Sequence, residues 1–278
     1  MNALEFTVIV SIGSLAAGFL GALTGLGGGI VIVPMLTIFL GVDFHYAAGA
    51  ALVSVIATSS GAAAAFIREG YTNMRIGMFL EVATTIGALI GATLAARIPV
   101  PVISVIFGAV LIHSVYLSSR KQLGRIDVEM SDRLARALKF PSRYPTQQGI
   151  KSYGVCNVPL GFGLMWLAGL LSGLLGIGSG AVKVLAMDRA MKIPFKVSTT
   201  TSNFMIGVTA AAGAGVYLRN GFVDPAIAMP VLVGVLIGAI LGAKVLAGVK
   251  TALLRKIFSV AVFILAVEMI YKGLAGKF

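Results

Sequence analysis

Two runs of small residues interrupt long apolar stretches of this chain, Thr24-Gly25-Leu26-Gly27-Gly28-Gly29-Ile30 and Leu175-Gly176-Ile177-Gly178-Ser179-Gly180-Ala181. Each glycine in a helix interior costs about 1 kcal/mol relative to alanine, so glycines this dense mark a break. The surroundings make a break costly. Of the 278 residues, 58% are hydrophobic and 12% charged, and the mean hydropathy is +0.99, whereas soluble domains carry about 25% charged residues. Apolar runs of about 20 residues recur, each able to cross a hydrocarbon core of about 30 Å as a helix. In lipid, unpaired backbone groups are tolerated only where protein buries them or a polar cavity receives them. An integral membrane protein is expected, with the two breaks forming the two halves of one binding site.

The chain is written twice. Residues 18–95 align on residues 169–246 without a gap: Gly18, Leu20, Gly25, Gly27, Gly29 and Val31 fall on Gly169, Leu171, Gly176, Gly178, Gly180 and Val182, and Thr58, Arg68, Gly87 and Gly91 on Thr209, Arg219, Gly238 and Gly242. Such doubling is a common plan of secondary transporters. Residues 1–117 read as membrane repeat 1, residues 118–155 as a basic linker and residues 156–278 as membrane repeat 2. Each repeat is a broken apolar segment followed by three whole helices, so the expected fold is all-α, a polytopic membrane helix bundle. Within the linker, residues 131–138 suit a short surface helix.

Charge sets the expected orientation. Arg120, Lys121, Arg125, Arg133, Arg136, Lys139, Arg143 and Lys151 crowd into the linker, which places it in the cytoplasm, because basic loops stay inside. If each broken segment turns back so that both its ends lie on one face, Arg68, Arg75, Arg189, Lys192, Lys196, Lys244, Lys250, Arg255 and Lys256 join the linker. Arg97, Arg219, Lys272 and Lys277 then lie opposite. A single crossing would make the repeats parallel and move seven of those inside charges out. The expectation is therefore two inverted-topology repeats with broken or re-entrant first segments, both termini outside, in a cell (inner) membrane. The eleven residues from Ile30 to Leu40 make about 16 Å of helix, enough to bring the glycine tips near the midplane.

The net charge of +12 follows from these loops; no basic stripe with interleaved aromatics suggests nucleic acid. Cys156 is the sole cysteine and His45 and His113 lie far apart, so no disulfide or metal cluster is expected. No nucleophile elbow, zinc-protease or Walker-type motif appears, and neither an enzyme nor a cofactor is expected.

The candidate substrate-binding residues are Gly27, Gly28, Gly29, Gly178, Ser179, Gly180, Lys183, Thr200, Ser202 and Asn203. A helix beginning just after each break would present free N–H groups and partial positive charge to an anion. The alternative role for glycine, close helix packing, suits Gly87, Gly91, Gly238 and Gly242. Lys183 replaces Ile32 of the first repeat deep in an apolar run, where lysine needs a partner or cavity; a bound anion or Asp188 would serve. The run Ser198-Thr199-Thr200-Thr201-Ser202-Asn203 replaces the small apolar run from Ala47 to Leu52 and has the groups to replace an anion's hydration shell, although Ser198 or Thr199 also suits a helix cap. Ser54, Thr58, Ser59 and Ser60 are weaker candidates, since membrane hydroxyls often bond their own helix. Glu81 and Glu268 are the acids deepest in apolar runs and candidates for proton coupling, with Lys272 one helical turn from Glu268 as its local partner.

These residues resemble the TauE/SafE family, the sulfite exporters. The resemblance rests on Gly25-Leu26-Gly27-Gly28-Gly29-Ile30-Val31-Ile32-Val33-Pro34 in the first repeat, and on residues 173–180 followed by residues 198–203 in the second. It covers nearly the whole chain and implies an inner-membrane permease for sulfite, thiosulfate, sulfoacetate or other sulfonates. The second break departs from the pattern: Lys183-Val184-Leu185 stands where Val-Pro often follows the glycines, and Ser179 replaces a glycine. Both changes add polar groups. The expected function is secondary transport of a small anion by alternating access, with a proton or sodium ion as candidate coupling ion and the lipid bilayer as the other partner. Two alternatives stand beside it: an anion-binding membrane assembly or sensor protein without net transport, and an anion channel.

Overall fold

The computed structural model describes residues 2–24, 28–68, 71–119, 131–146, 149–246 and 251–276. It is a helix bundle in which every element of the first repeat has its mate in the second. The first repeat comprises α1 (Ala3–Thr24), α2 (Gly29–Pro34) continuing as a π-helical turn over Met35–Phe39, α3 (Phe44–Arg68), α4 (Met74–Ala95) and α5 (Val100–Ser119). The second comprises α7 (Val158–Leu175), α8 (Gly180–Leu185) continuing as a π-helical turn over Ala186–Ala190, α9 (Phe195–Arg219), α10 (Pro225–Leu246) and α11 (Thr251–Leu274). Four helices among the described residues are long and apolar enough to cross a membrane, over Leu4–Gly21, Met74–Ala95, Val158–Leu175 and Pro225–Gly242. Leu4, Ile12, Met78, Leu160, Met229 and Ile264 are exposed, as apolar side chains facing lipid would be.

Each broken segment is one long helix and a short return. Gly13 of α1 lies against Met35, and Gly161 of α7 against Met191, so the chain after each break doubles back along the helix before it. In the second repeat the Cys156 amide, just before α7, donates to the Met191 carbonyl at 3.1 Å, which brings both ends of the broken segment to one side.

The repeats interlock crosswise. α4 packs along α7 and α1 along α10. A methyl group on Gly87 would lie 2.2 Å from the Trp166 carbonyl oxygen, and one on Gly169 2.1 Å from that of Thr84. The mated contact has the same form, with Gly238 against the Leu15 carbonyl and Gly18 against that of Val235. Small residues four apart let the backbones touch, the packing role expected for Gly87, Gly91 and Gly238. The α3/α9 pair runs antiparallel, with Gly49 against Phe222, Leu52 against Gly213 and Ser59 against Gly207. α5 and α11 do likewise, with Gly108 against Ala266 and Gly273 against Pro101. Mated end contacts repeat the pattern: His45 stacks on Phe222 at 4.7 Å, and Lys196 sits 3.7 Å over the Tyr71 ring.

The described part of the linker, from residue 131 on, is a folded cap. Beyond the short helix α6 (Arg133–Ala137) it carries an antiparallel hairpin, β1 (Ser142–Thr146) with β2 (Gly149–Tyr153), pairing Ser142 with Tyr153. Phe140, Tyr144 and Tyr153 are buried with Ile76, Leu80 and Met187 in one apolar cluster. Asn73, which caps α4 by accepting from the Ile76 amide at 3.2 Å, donates to the Phe140 carbonyl at 3.0 Å and the Tyr153 hydroxyl at 2.7 Å. Burial here pushes the Tyr153 phenol above its ordinary pKa.

Candidate functional site

The second break is fully described. α7 ends at Gly176, whose φ of +70° is left-handed. A Cβ there would also lie 2.6 Å from the Ala48 Cα, so glycine is required twice over. Ser172 ties the turn by donating to the Ile177 carbonyl at 2.7 Å. Ser179 is left-handed as well, with φ +42°, and α8 starts after it. Its hydroxyl is buried without a hydrogen-bond partner, an arrangement that normally calls for an explanation. At the first break Gly27 lies outside the described residues; Gly28 and Gly29 are buried, and the Gly28 carbonyl accepts from the Val31 and Ile32 amides.

The two breaks meet midway along α3 and α9. Gly29 lies against the Gly176 carbonyl and Ile177. Val55 of α3 packs on both Gly29 and Gly178, and Ile206 of α9 packs on Gly178 and Gly180. Val55 and Ile206 are themselves mates, so the junction is closed by one branched side chain from each repeat.

Behind the second tip stands a polar chain that spacing does not reveal. Lys183 is completely buried on α8, and its ammonium donates to the Thr209 hydroxyl of α9 at 2.5 Å. Thr209 in turn donates to Glu81 Oε1 of α4 at 2.6 Å, and Thr85 donates to the same oxygen at 3.2 Å. Glu81 is 7% exposed, and its second oxygen, Oε2, is buried with no partner. The companion of Lys183 is therefore Glu81 through a threonine, not Asp188, which sits half-buried 3.6 Å from Arg189. The mates of Lys183 and Glu81 are Ile32 and Leu232, so that asymmetry is the sequence signal for the pair. The other deep acid behaves differently: among the described residues Lys272 donates to the Ile38 carbonyl at 3.2 Å, and the Glu268–Lys272 pair suggested by spacing is not formed.

The hydroxyl run divides by use. Thr200 bonds its own helix through the Lys196 and Val197 carbonyls, which commits its single hydrogen. Thr201 accepts from the Asn73 amide at 3.1 Å and anchors the cap. Ser198 donates to the Ile193 carbonyl at 3.2 Å; α9 starts earlier, at Phe195, so neither Ser198 nor Thr199 caps it. Ser202 reaches the break itself, donating to the Gly180 carbonyl at 3.3 Å, and Asn203 lies half-buried one residue on. Ser54, Thr58, Ser59 and Ser60 all bond back along α3.

The chain that builds this bundle matches one known family over residues 10–269, described as "Sulfite exporter TauE/SafE". The chain belongs to the TauE/SafE family. Curated relatives of this TauE/SafE protein include the Bacillus subtilis "Probable membrane transporter protein YunE", 27% identical over 278 residues, 98% of this chain and 99% of the relative. A second from that organism, YdhB, carries the same description and is 28% identical over 228 residues, 82% of this chain and 83% of its own length. A Xylella fastidiosa "Probable membrane transporter protein" is 26% identical over 274 residues, 97% of both chains. No solved structure matches the chain. The chain is thus a multi-pass membrane protein of a transporter family.

Proposed function

We propose that this protein is a secondary transporter that carries a small sulfur-containing anion, such as sulfite, thiosulfate, sulfoacetate or another sulfonate, by alternating access around the glycine breaks. The observation that carries this reading is the meeting of Gly29 with Gly176 and Ile177, beside the buried and unpartnered Ser179 hydroxyl and in front of buried Lys183. Backbone freed from helical bonding is stable in lipid only where it faces protein or a polar guest, and a serine hydroxyl with no partner is a donor ready for one. Lys183 supplies the charge. Gly27, Gly28, Gly29, Gly178, Ser179, Gly180, Thr200, Ser202 and Asn203 complete the proposed binding set. The sulfur class rests on the family's description.

The antiparallel pairing of the mated helices α3 and α9, and of α5 and α11, supports two repeats inserted in opposite orientations. The basic linker supports a cytoplasmic cap and outside termini in the cell membrane. In that arrangement Val55 and Ile206 close the junction, and rocking one repeat against the other would open it to either face in turn.

Purified protein in liposomes preloaded with unlabelled thiosulfate or sulfoacetate is expected to show saturable counterflow of the labelled anion. Stabilisation of the protein by these anions with no flux would support the assembly or sensor reading instead, and a current without counterflow would support a channel.

A further inference from the structure

We propose that Glu81 is the proton-carrying group of this protein, exchanging its hold on Lys183 through Thr209 for a proton each time an anion is bound. This rests on the transport reading and names its coupling ion.

The geometry supplies each part. Lys183 has three N–H donors, and among the described residues one is committed, to Thr209. Glu81 has Oε1 held by Thr209 and Thr85 and Oε2 held by nothing. With the site empty the ammonium and the carboxylate cancel. An anion bound to a free Lys183 donor adds a negative charge to a low-dielectric interior, where an uncompensated charge is costly. A proton from water on the open face then forms an O–H bond at Glu81 Oε2 and offsets one unit of that charge. On the opposite face that bond breaks, the proton passes to water as the anion leaves, and the carboxylate draws Lys183 back through Thr209.

The doubled architecture argues that the pair is not there to hold the fold. At the mated positions the same scaffold is built with Ile32, Thr58 and Leu232, so the hydroxyl is common to both repeats and the two charges are not. The neighbouring elements leave Glu81 and Lys183 to each other. α7 has no ionisable residue between Val158 and Leu175. On α9, Lys196 covers Tyr71, Arg219 ends the helix, and Tyr217 donates to the Leu174 carbonyl. Arg75 in the first turn of α4 donates to the Lys139 carbonyl, Asp188 and Arg189 pair with each other, and Tyr144 and Tyr153 belong to the cap.

The test uses the full chain in liposomes at zero membrane voltage with labelled thiosulfate. An inside-alkaline gradient of about one pH unit is expected to accumulate the anion about tenfold when one proton accompanies each ion, and a sodium gradient is expected to do nothing. Glu81→Gln should lower the accumulation ratio to about one. Should that variant fail to fold, a trapped pH dye in wild-type liposomes decides: thiosulfate added outside should acidify the lumen. Counterflow in the wild type with no pH-driven accumulation and no lumen acidification would overturn the assignment of Glu81 alone. So would accumulation driven by sodium, or by pH in Glu81→Gln as strongly as in the wild type. Absence of counterflow would overturn the transport reading and this inference with it.

Discussion

Lys183→Ala is expected to abolish saturable anion flux, and Lys183→Ile combined with Glu81→Leu is expected to be equally inactive yet better folded. Loss of a charge-assisted hydrogen bond of about 2–3 kcal/mol lowers apparent affinity by about 30- to 150-fold. The single change also leaves Glu81 buried beside Thr209 without its cation, and breaking a buried pair costs about 3–5 kcal/mol. The double change copies Ile32 and Leu232 from the mated positions, and apolar replacement of a buried ion pair is often neutral or stabilising. Thermal denaturation in detergent should therefore rank the double variant above the single one, while liposome flux is absent from both. If the double variant transports, the charges do not serve the anion.

Gly87→Ala and Gly238→Ala are expected to be among the most damaging single methyl additions on the described helices. The added carbon would sit 2.2 Å from the Trp166 carbonyl oxygen in one case and 2.0 Å from that of Leu15 in the other. Both obstacles are backbone, with no side chain to swing aside, so α4 must part from α7, or α1 from α10. Overpacking of this kind typically costs about 1–3 kcal/mol and can exceed it, and here it opens the crosswise contact between the repeats. Gly163→Ala and Gly215→Ala, where nothing lies within 4 Å, should be neutral or slightly stabilising, since alanine favours helix by about 1 kcal/mol. Yield of monodisperse protein and its melting temperature check this; equal behaviour of all four variants would contradict the close approach.

What the sequence disclosed is what short-range physics writes into it. The glycine clusters, the gapless match of residues 18–95 to residues 169–246, and the basic linker gave the repeats, the breaks and the short helix α6, because each depends on neighbours in the chain. Glu81, Thr209 and Lys183 are brought together by three different helices, and helical spacing can offer a side chain only partners on its own helix. That rule suggested Lys272 for Glu268, but the lysine reaches a carbonyl on a distant π-helical turn. The linker hairpin was equally hidden: Ser142-Arg143-Tyr144-Pro145-Thr146 has little strand character, and its pairing is set by docking Tyr144 and Tyr153 on the bundle. The polar run after Pro194 was legible as unusual. Which of its hydroxyls turn back on their own helix and which cross to the break depends on the backbone: Thr200 is held by the Val197 carbonyl, and Ser202 reaches the carbonyl of Gly180.

Ile206 offers the most direct test of the claim that a guest binds where the glycine tips meet. It lies on Gly178 and Gly180 and is 3% exposed, so a cysteine there reports on the junction. In a Cys156→Ser background, Ile206→Cys should react with a membrane-impermeant maleimide applied to either face of sealed vesicles, and saturating sulfoacetate should slow that reaction. A thiol silent from both faces, or one reached from a single face at a rate indifferent to the anion, would contradict the account.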